Sequence, residues 1–487
     1  MKLKCDQCIL VTLFYIKTGY IFVTFQKKQY ICFRNEKRNI FNIMKKNIKS
    51  KMNRRAFLGY SAMGLAGLTI LPSWSRNGVR IAPSDRVVMG FVGLGRQGLS
   101  DFQSFTNCPS VQVAACCDAD SIKRMRFKQR VETWQKGAEM NPRCDMYEFY
   151  QNLLERKDID AIGIEVPDHW HAMIAIDACE AKKDVYCQKP LGYTITEGWA
   201  VEKAVRRNNT IFQMGSQQRS GKEFQRAIKV CREGGIGHIE KIYAHVGDTP
   251  TPYDLPEQKV PANLNFNLWL GPLTNPIIHY NEQLCPPVSL NPEKNEEFWG
   301  GWRWYQETGN GFTADWGAHM FDIAQAAIGM DGSGPCEFIP KGYEGTEHMT
   351  MKYENGIIMT EQAFLEDNKD AKGLRFIGDD GWLTVSRGSI NCSNPELVKG
   401  VIGNRGEYEV SAPHMQNFID AVHSRKDPIA PVEVGTSTNT LCCLSNIAAE
   451  LKRPVKWNPA TRHFIDDEEA KAHRLYGYEY RNPYKLG

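Results

Sequence analysis

From Arg86 onward, short apolar runs alternate with longer stretches in which apolar positions are scattered among polar ones. Val87–Val92, Val111–Cys117, Ile159–Val166, Asp184–Cys187 and Thr210–Met214 read as strands. They are too apolar for a sheet with one wet face, so they predict strands covered on both sides. The stretches between them, Leu99–Phe105, Ser121–Lys136, His171–Cys179 and Thr196–Arg207, carry the mixed pattern of helices. Strand alternating with helix predicts a doubly wound parallel sheet. Near Gly215 the pattern changes. Glu223–Arg232 is helical, and Pro- and aromatic-rich loops run from Thr249 to Trp304. Then His348–Tyr353, Ile357–Ala363, Leu374–Ile377 and Trp382–Val385 follow, joined by turns such as Glu354-Asn355-Gly356 and Asp379-Asp380-Gly381. These predict a mostly antiparallel open sheet. The expected class is α/β, with a parallel-sheet domain over 81–215 and an α+β domain over 216–487.

The first eighty residues follow neither pattern. Residues 1–51 contain no Ala, Pro or Trp and one Gly, and no period is sustained. The apolar run Ile9–Phe25 is interrupted by Lys17 and Gly19 and is short for a membrane span. Residues 1–51 are read as a spurious or disordered extension, with Met52 as the start and a membrane anchor as the alternative. In 52–80, Asn53-Arg54-Arg55-Ala56-Phe57-Leu58 precedes a Gly/Ala-rich apolar stretch, the order of a twin-arginine export signal. This predicts a partner in the export machinery and a periplasmic location, membrane-associated if the signal stays attached.

Composition changes this picture little. The 487 residues are 42% hydrophobic and 24% charged, which suits a globular chain. A net charge of +4 is slight for this length, so nothing argues for a nucleic-acid surface and no nucleic-acid partner is expected. Fifteen cysteines lack the spacing of a disulfide scaffold. Cys116, Cys117, Cys442 and Cys443 are expected as small buried hydrophobes. Cys5 and Cys8 have no second pair at zinc-finger spacing, and no metal is expected.

Gly93-Leu94-Gly95-Arg96-Gln97-Gly98 follows an apolar strand and precedes a helix. Gly93 permits the tight turn, Gly95 lets a pyrophosphate approach the backbone, and Gly98 lets helix and strand pack closely. Asp118, twenty residues beyond Gly98, ends the second strand, where a carboxylate binds a ribose 2′-hydroxyl. This is the signature of a Rossmann domain binding NAD; Arg96 keeps NADP open. Arg96 and Gln97 lie in the loop itself. Pro167 and His171, in Val166-Pro167-Asp168-His169-Trp170-His171, are expected to line the same pocket rather than hold a metal.

Three features carry candidate chemistry. In Cys187-Gln188-Lys189-Pro190, Lys189 follows a strand at the carboxyl edge of the sheet, where ligands bind. It can lie beside the nicotinamide and share a substrate hydroxyl. In Asp315-Trp316-Gly317-Ala318-His319, spacing of i, i+4 on a helix puts Asp315 and His319 on one face. A carboxylate there can orient the imidazole as a base for the hydroxyl proton. The loop Trp299–Tyr305 offers Trp302 for the C–H face of a sugar and Arg303 for its hydroxyls or a carboxylate; packing within the core is the equal alternative.

Together these residues resemble the glucose–fructose oxidoreductase/inositol dehydrogenase (Gfo/Idh/MocA) family over roughly Arg86 to Tyr484. The family's E-K-P motif looks like Gln188-Lys189-Pro190, and its D-x-x-x-H motif like Asp315 and His319. Gln213–Arg219 looks like the crossing into the substrate domain, with Arg219 a candidate substrate contact. His414–Phe418 and Ser445–Ala448 look like the C-terminal pattern of secreted, sugar-associated members. The resemblance implies Lys189 and His319 as a proton relay, Asp315 as a positioning group, and a homo-oligomer built on the open sheet. It implies oxidation of a sugar, polyol or sugar derivative. An exported enzyme meets little free NAD, which favours a resident cofactor and brings in a second reading, glycoside cleavage through transient oxidation. A third reading is a sugar-binding protein without catalysis. Gln188 departs from the motif's Glu, keeping hydrogen bonds but not charge.

Overall fold

The computed structural model describes residues 2–5, 9–16, 20–25, 29–34 and 85–487, except 275–277, 289–298, 365–370, 402 and 404–406. Arg54, Arg55 and Cys8 lie outside the described residues. The chain divides into two units, Met1–Val79 and Arg80–Gly487.

In the first unit, β1 (Lys2–Cys5), β2 (Ile9–Ile16), β3 (Tyr20–Phe25) and β4 (Gln29–Arg34) form an antiparallel sheet in that order. This departs from the sequence reading of an extension without regular structure. The β-branched and aromatic residues crowded into β2 and β3 favour strands even without a clean alternation.

The second unit opens with six strands: β5 (Val87–Val92), β6 (Val111–Cys117), β7 (Asp145–Tyr147), β8 (Ala161–Ile164), β9 (Asp184–Cys187) and β10 (Phe212–Met214). Their order is β10-β9-β8-β5-β6-β7, all parallel. The order reverses between β5 and β8, so a crevice opens beyond their carboxyl ends. The intervening helices are α1 (Arg96–Phe105), α2 (Ser121–Gly137), α3 (Tyr150–Leu154), α4 (Asp168–Glu180) and α5 (Ile195–Asn208). Helix α1 starts three residues earlier than predicted, directly after Gly95, because Gly98 lies inside its first turn. The same holds for α4, which starts at Asp168 with Pro167 as its N-cap. Helix α5 begins with a full capping box between Thr194 and Glu197. Cys116, Cys117, Cys442 and Cys443 are buried free thiols.

After α6 (Lys222–Arg232) comes β11 (Ile239–His245), then α7 (Phe266–Leu270), α8 (Gly311–Asp315) and α9 (Gly317–Ile328). The remaining strands are β12 (Glu337–Ile339), β13 (Thr350–Lys352), β14 (Ile358–Glu361), β15 (Gly373–Gly378), β16 (Gly381–Ser386) and β17 (Ser389–Cys392), then, after α10 (Glu407–Ser424) and α11 (Val432–Leu451), β18 (Val455–Asn458) and β19 (His463–Phe464). They form one sheet, β17-β16-β15-β11-β14-β13-β12-β18-β19. It is antiparallel except where β11 pairs with β14. The interior strand β11 was absent from the sequence reading, since Glu240 and Lys241 interrupt its apolar positions. Helices α6, α9 and α11 pack on this sheet around Phe224, Phe321, Phe338, Phe376 and Leu444. Helix α10 turns back: Met415, Phe418 and Ile419 join Phe91 and Phe105 in the core of the parallel-sheet domain.

Candidate active site

Two clefts meet beyond the carboxyl ends of β5, β8 and β9. The first, about 1070 Å³, runs along the glycine loop and is lined by Gly93, Gly95, Arg96, Gln97, Asp118 and Pro167, with Trp299, Trp302 and Arg303 opposite. Gly93 has φ of 92°, and a Cβ there would strike the Glu165 backbone. A Cβ on Gly98 would strike the Gly93 carbonyl, so this glycine sets the approach of α1 to the loop. A Cβ on Gly95 would meet nothing within 4 Å. The loop therefore leaves an open cradle at the N-terminus of α1, where Gly95 supplies no side-chain cap. A pyrophosphate needs that combination of space and helix N-terminus. Asp118 follows β6 at the same cleft. Its Oδ2 accepts from Leu94 N and its Oδ1 from Asp120 N, both at 2.8 Å. The carboxylate is thus held in place beside the loop, with lone pairs left for a ribose hydroxyl. The residues present fit a dinucleotide.

The second cleft, about 980 Å³, shares Gln97, Glu165, Val166, Trp299, Trp302 and Arg303 with the first and continues to Lys189, Asp315 and His319. Lys189, at the end of β9, forms an ion pair with Asp315, at the end of α8. Arg303 Nε lies 3.6 Å from the same carboxylate. Burial would raise the Asp315 carboxyl, but Lys189 and Arg303 hold it below its ordinary value. Arg303 is stacked on Trp302 and Trp299, 4.1 and 4.8 Å from their ring centres, while Arg96 reaches Trp299 from the loop at 4.5 Å. The aromatic segment that the sequence left between core and site therefore forms the wall between the clefts.

Asp315 does not orient His319, contrary to the i, i+4 expectation. The helix breaks at Trp316 between α8 and α9, and the carboxylate turns to Lys189. His319 Nδ1 is buried without a hydrogen-bond partner among the described residues. Burial first, then the Arg387 and Lys189 charges, push its pKa well below the ordinary value, so the ring is neutral. His171 belongs to the second cleft rather than the first. Its Nδ1–H donates to the Pro190 carbonyl at 2.5 Å, which leaves Nε2 as an acceptor without a partner among the described residues. His169 points elsewhere, donating from Nε2 to the Trp269 carbonyl at 3.0 Å.

Arg219 is not at either cleft, which corrects the expected substrate contact. The residue is 7% exposed, and its guanidinium grips Asp322 through Nε and Nη2 at 2.7–3.0 Å, with Asp331 at 2.5 Å. Two carboxylates already occupy the donors a substrate would use. Gln188 is also explained: its Nε2 donates to Asp101 Oδ2 at 2.6 Å. The carboxyl missing from the motif position lies one side chain away, on Asp101.

Glu165, Asp168 and Arg387 line the second cleft and were not singled out from sequence. Glu165 and Asp168 flank Pro167 at a strand end, a signal that could have found them. Both Glu165 oxygens are buried without a partner among the described residues, and burial raises its carboxyl strongly. Burial likewise raises Asp168 to about 7. Arg387 sits in a turn with no distinguishing sequence signal.

Comparison with known proteins places this geometry. A glycosyl hydrolase family 109 protein of Shewanella pealeana is 29% identical over 217 residues, 40% of this chain and 46% of that protein. An alpha-N-acetylgalactosaminidase of Shewanella oneidensis is 31% identical over 179 residues, 34% of this chain and 37% of that protein. The chain thus spans under half the length of these curated relatives. A levoglucosan dehydrogenase in complex with NADH superposes with a TM-score of 0.52 at 15% identity, covering 76% of this chain and 99% of that one. An oxidoreductase domain protein from Kribbella flavida gives 0.53 at 16% identity, covering 76% and 98%. At these identities the likeness is one of fold. Residues 87–216 match the family model for the oxidoreductase family's NAD-binding Rossmann fold, and residues 227–486 the model for its C-terminal alpha/beta domain. With the glycine cradle, Asp118 and the two-sheet architecture in agreement, the chain belongs to the Gfo/Idh/MocA oxidoreductase family and carries its NAD-binding domain.

Proposed function

We propose that the protein oxidises a carbinol carbon of a sugar or sugar derivative, with Lys189 and His319 handling the hydroxyl proton. The observation that carries this reading is the Lys189–Asp315 pair, set where the second cleft joins the glycine-lined one. Bound in the first cleft, NAD supplies the two-electron acceptor for the hydrogen leaving carbon. Lys189, fixed by Asp315, stabilises the substrate oxygen as it loses its proton. His319 enters neutral, its buried Nδ1 without a hydrogen-bond partner among the described residues, and its ring takes that proton. Trp302 and Arg303 close the cleft against water and offer the sugar an aromatic face. Export through the Arg54-Arg55 signal is part of the same proposal, since that route would carry a folded chain with its cofactor.

The curated relatives favour a second reading, in which oxidation is transient and a glycosidic bond is cleaved. The same base would then remove a C–H proton acidified by the neighbouring ketone, and the glycosidic oxygen would leave with a proton. Purified, NAD-loaded protein given free sugars and aryl glycosides separates the two. Stoichiometric NADH from a free sugar supports net oxidation. Aglycone release without net NADH supports cleavage. Binding of sugar with neither product would sink both.

A further inference from the structure

We propose that Asp101 is a positioning residue: from beneath the glycine loop it fixes Gln188 and, through it, the backbone that carries Lys189 into the second cleft. The inference rests on the role given above to Lys189. Asp101 lies in the second turn of α1 and is fully buried. Its two carboxyl oxygens are divided between two amides. Oδ1 accepts from Gln97 Nε2 at 2.8 Å, one turn earlier on the same helix. Oδ2 accepts from Gln188 Nε2 at 2.6 Å, just beyond the end of β9. Gln97 lines both clefts, and Gln188 lines the second. One carboxyl therefore joins the cradle for the dinucleotide to the residue before Lys189.

Gln188 has little room to sit otherwise. It is buried, and its N–H donates to the Ile164 carbonyl at 2.9 Å, which ties its backbone to β8. Beside its Oε1 stands Gly215, where a Cβ would lie 2.7 Å from that oxygen and 3.0 Å from the Gln188 Cα. Gly215 is itself held, its N–H donating to the Cys187 carbonyl at 2.7 Å. The amide is thus enclosed between the Asp101 carboxyl and the Gly215 backbone. A buried amide that loses its partner is left unsatisfied at a cost, so the pair resists rotation of the Gln188 side chain. Lys189 is the next residue, and its ammonium meets Asp315. Its reach is therefore set at both ends, at the tip by Asp315 and at the root by Gln188 and Asp101. A displacement of about 1 Å at a reacting group can cost about 10²-fold in rate, so support at the root bears on turnover more than on binding.

The test exchanges acid and amide across the pair. Gln188→Glu sets a second carboxyl against that of Asp101. Adding Asp101→Asn makes the contact amide against carboxyl again, and the introduced amide keeps an oxygen to accept from Gln97. The cofactor-loaded full chain is treated with acetic anhydride, and acetylation of Lys189 is timed by peptide mass spectrometry, with sugar turnover measured alongside. In Gln188→Glu the Lys189 acetylation rate is expected to change by about three-fold or more, and kcat to fall by about ten-fold or more with KM held within about three-fold. The double variant should return each quantity to within about three-fold of wild type, as residues in direct contact compensate one another. Support of the fold alone would lower the unfolding midpoint and leave Lys189 acetylation and kcat of the folded protein unchanged. Fluorescence of bound NADH reports that each variant is folded; if Gln188→Glu is not, Asp101→Ala is read in its place. Wild-type acetylation or wild-type kcat in the single variant, or a loss that persists in the double, overturns the inference. Acetylation needs no turnover, so a chain that oxidises no sugar counts against the proposed reaction and leaves Lys189 labelling to decide this one.

Discussion

At the scale of single residues, Lys189 and Asp168 make separable predictions. Lys189→Met removes the donor that stabilises the substrate oxygen and leaves Asp315 to Arg303. Turnover is expected to fall by about 10²–10⁴-fold. NADH affinity, read by fluorescence, should change by less than about three-fold, since Lys189 lies in the second cleft. Wild-type turnover in this variant would dismiss the assignment. Asp168 yields a pH dependence. Its folded pKa, raised to about 7 by burial, means that the native chain keeps a proton which the unfolded chain releases at lower pH. The stability this contributes is complete below the ordinary carboxylate range and is lost as pH rises to about 7. Asp168→Asn cannot ionise. Relative to wild type it should gain up to about 3 kcal/mol between pH 5 and pH 8, measured by urea unfolding at both values. A difference independent of pH would show that Asp168 is not held protonated.

At the scale of elements, the turn from β5 into α1 separates space for the ligand from space for the fold. Gly95 faces open volume, while Gly98 abuts the Gly93 carbonyl. Gly95→Val should leave the unfolding midpoint within about 0.5 kcal/mol of wild type and weaken NADH binding by about ten-fold or more. Gly98→Ala should instead cost stability, about 1–3 kcal/mol, because α1 must shift away from the loop. Calorimetry and NADH titration on the pair test this; equal losses in both properties for both variants would contradict the division. The loop was legible in the sequence because every part of it is local: an apolar strand, three glycines at set spacing, a helix, and an acid at the next strand end. The break at Trp316 was not. An i, i+4 spacing assumes one continuous helix, and here Asp315 ends α8 while His319 belongs to α9.

At the scale of the whole molecule, Arg219 joins the turn before α6 to helix α9 and the loop that follows it, rather than to substrate. It clamps Asp322 on α9, which is 1% exposed. Arg219→Met would leave that carboxylate buried without its cation and should cost about 3–5 kcal/mol of stability. Thermal melts should show the loss, with KM for the sugar little changed in protein that remains folded; a raised KM at unchanged stability would return Arg219 to the site. By itself the sequence determined the parallel sheet, the dinucleotide loop, the antiparallel segments and the residue types of the chemistry, because apolar periodicity and turn residues act between near neighbours. The tertiary structure alone decided which of those residues meet. Lys189 and Asp315 stand 126 positions apart. Helix α10 completes the core of a domain whose strands ended some two hundred residues earlier, at β10. Strand β11, hidden by two charges in sequence, becomes an interior strand of the nine-stranded sheet, between β15 and β14. Arg387 reaches the cleft from a turn of that sheet. These placements follow from buried apolar surface and paired charges summed across the chain, and no local pattern encodes such sums.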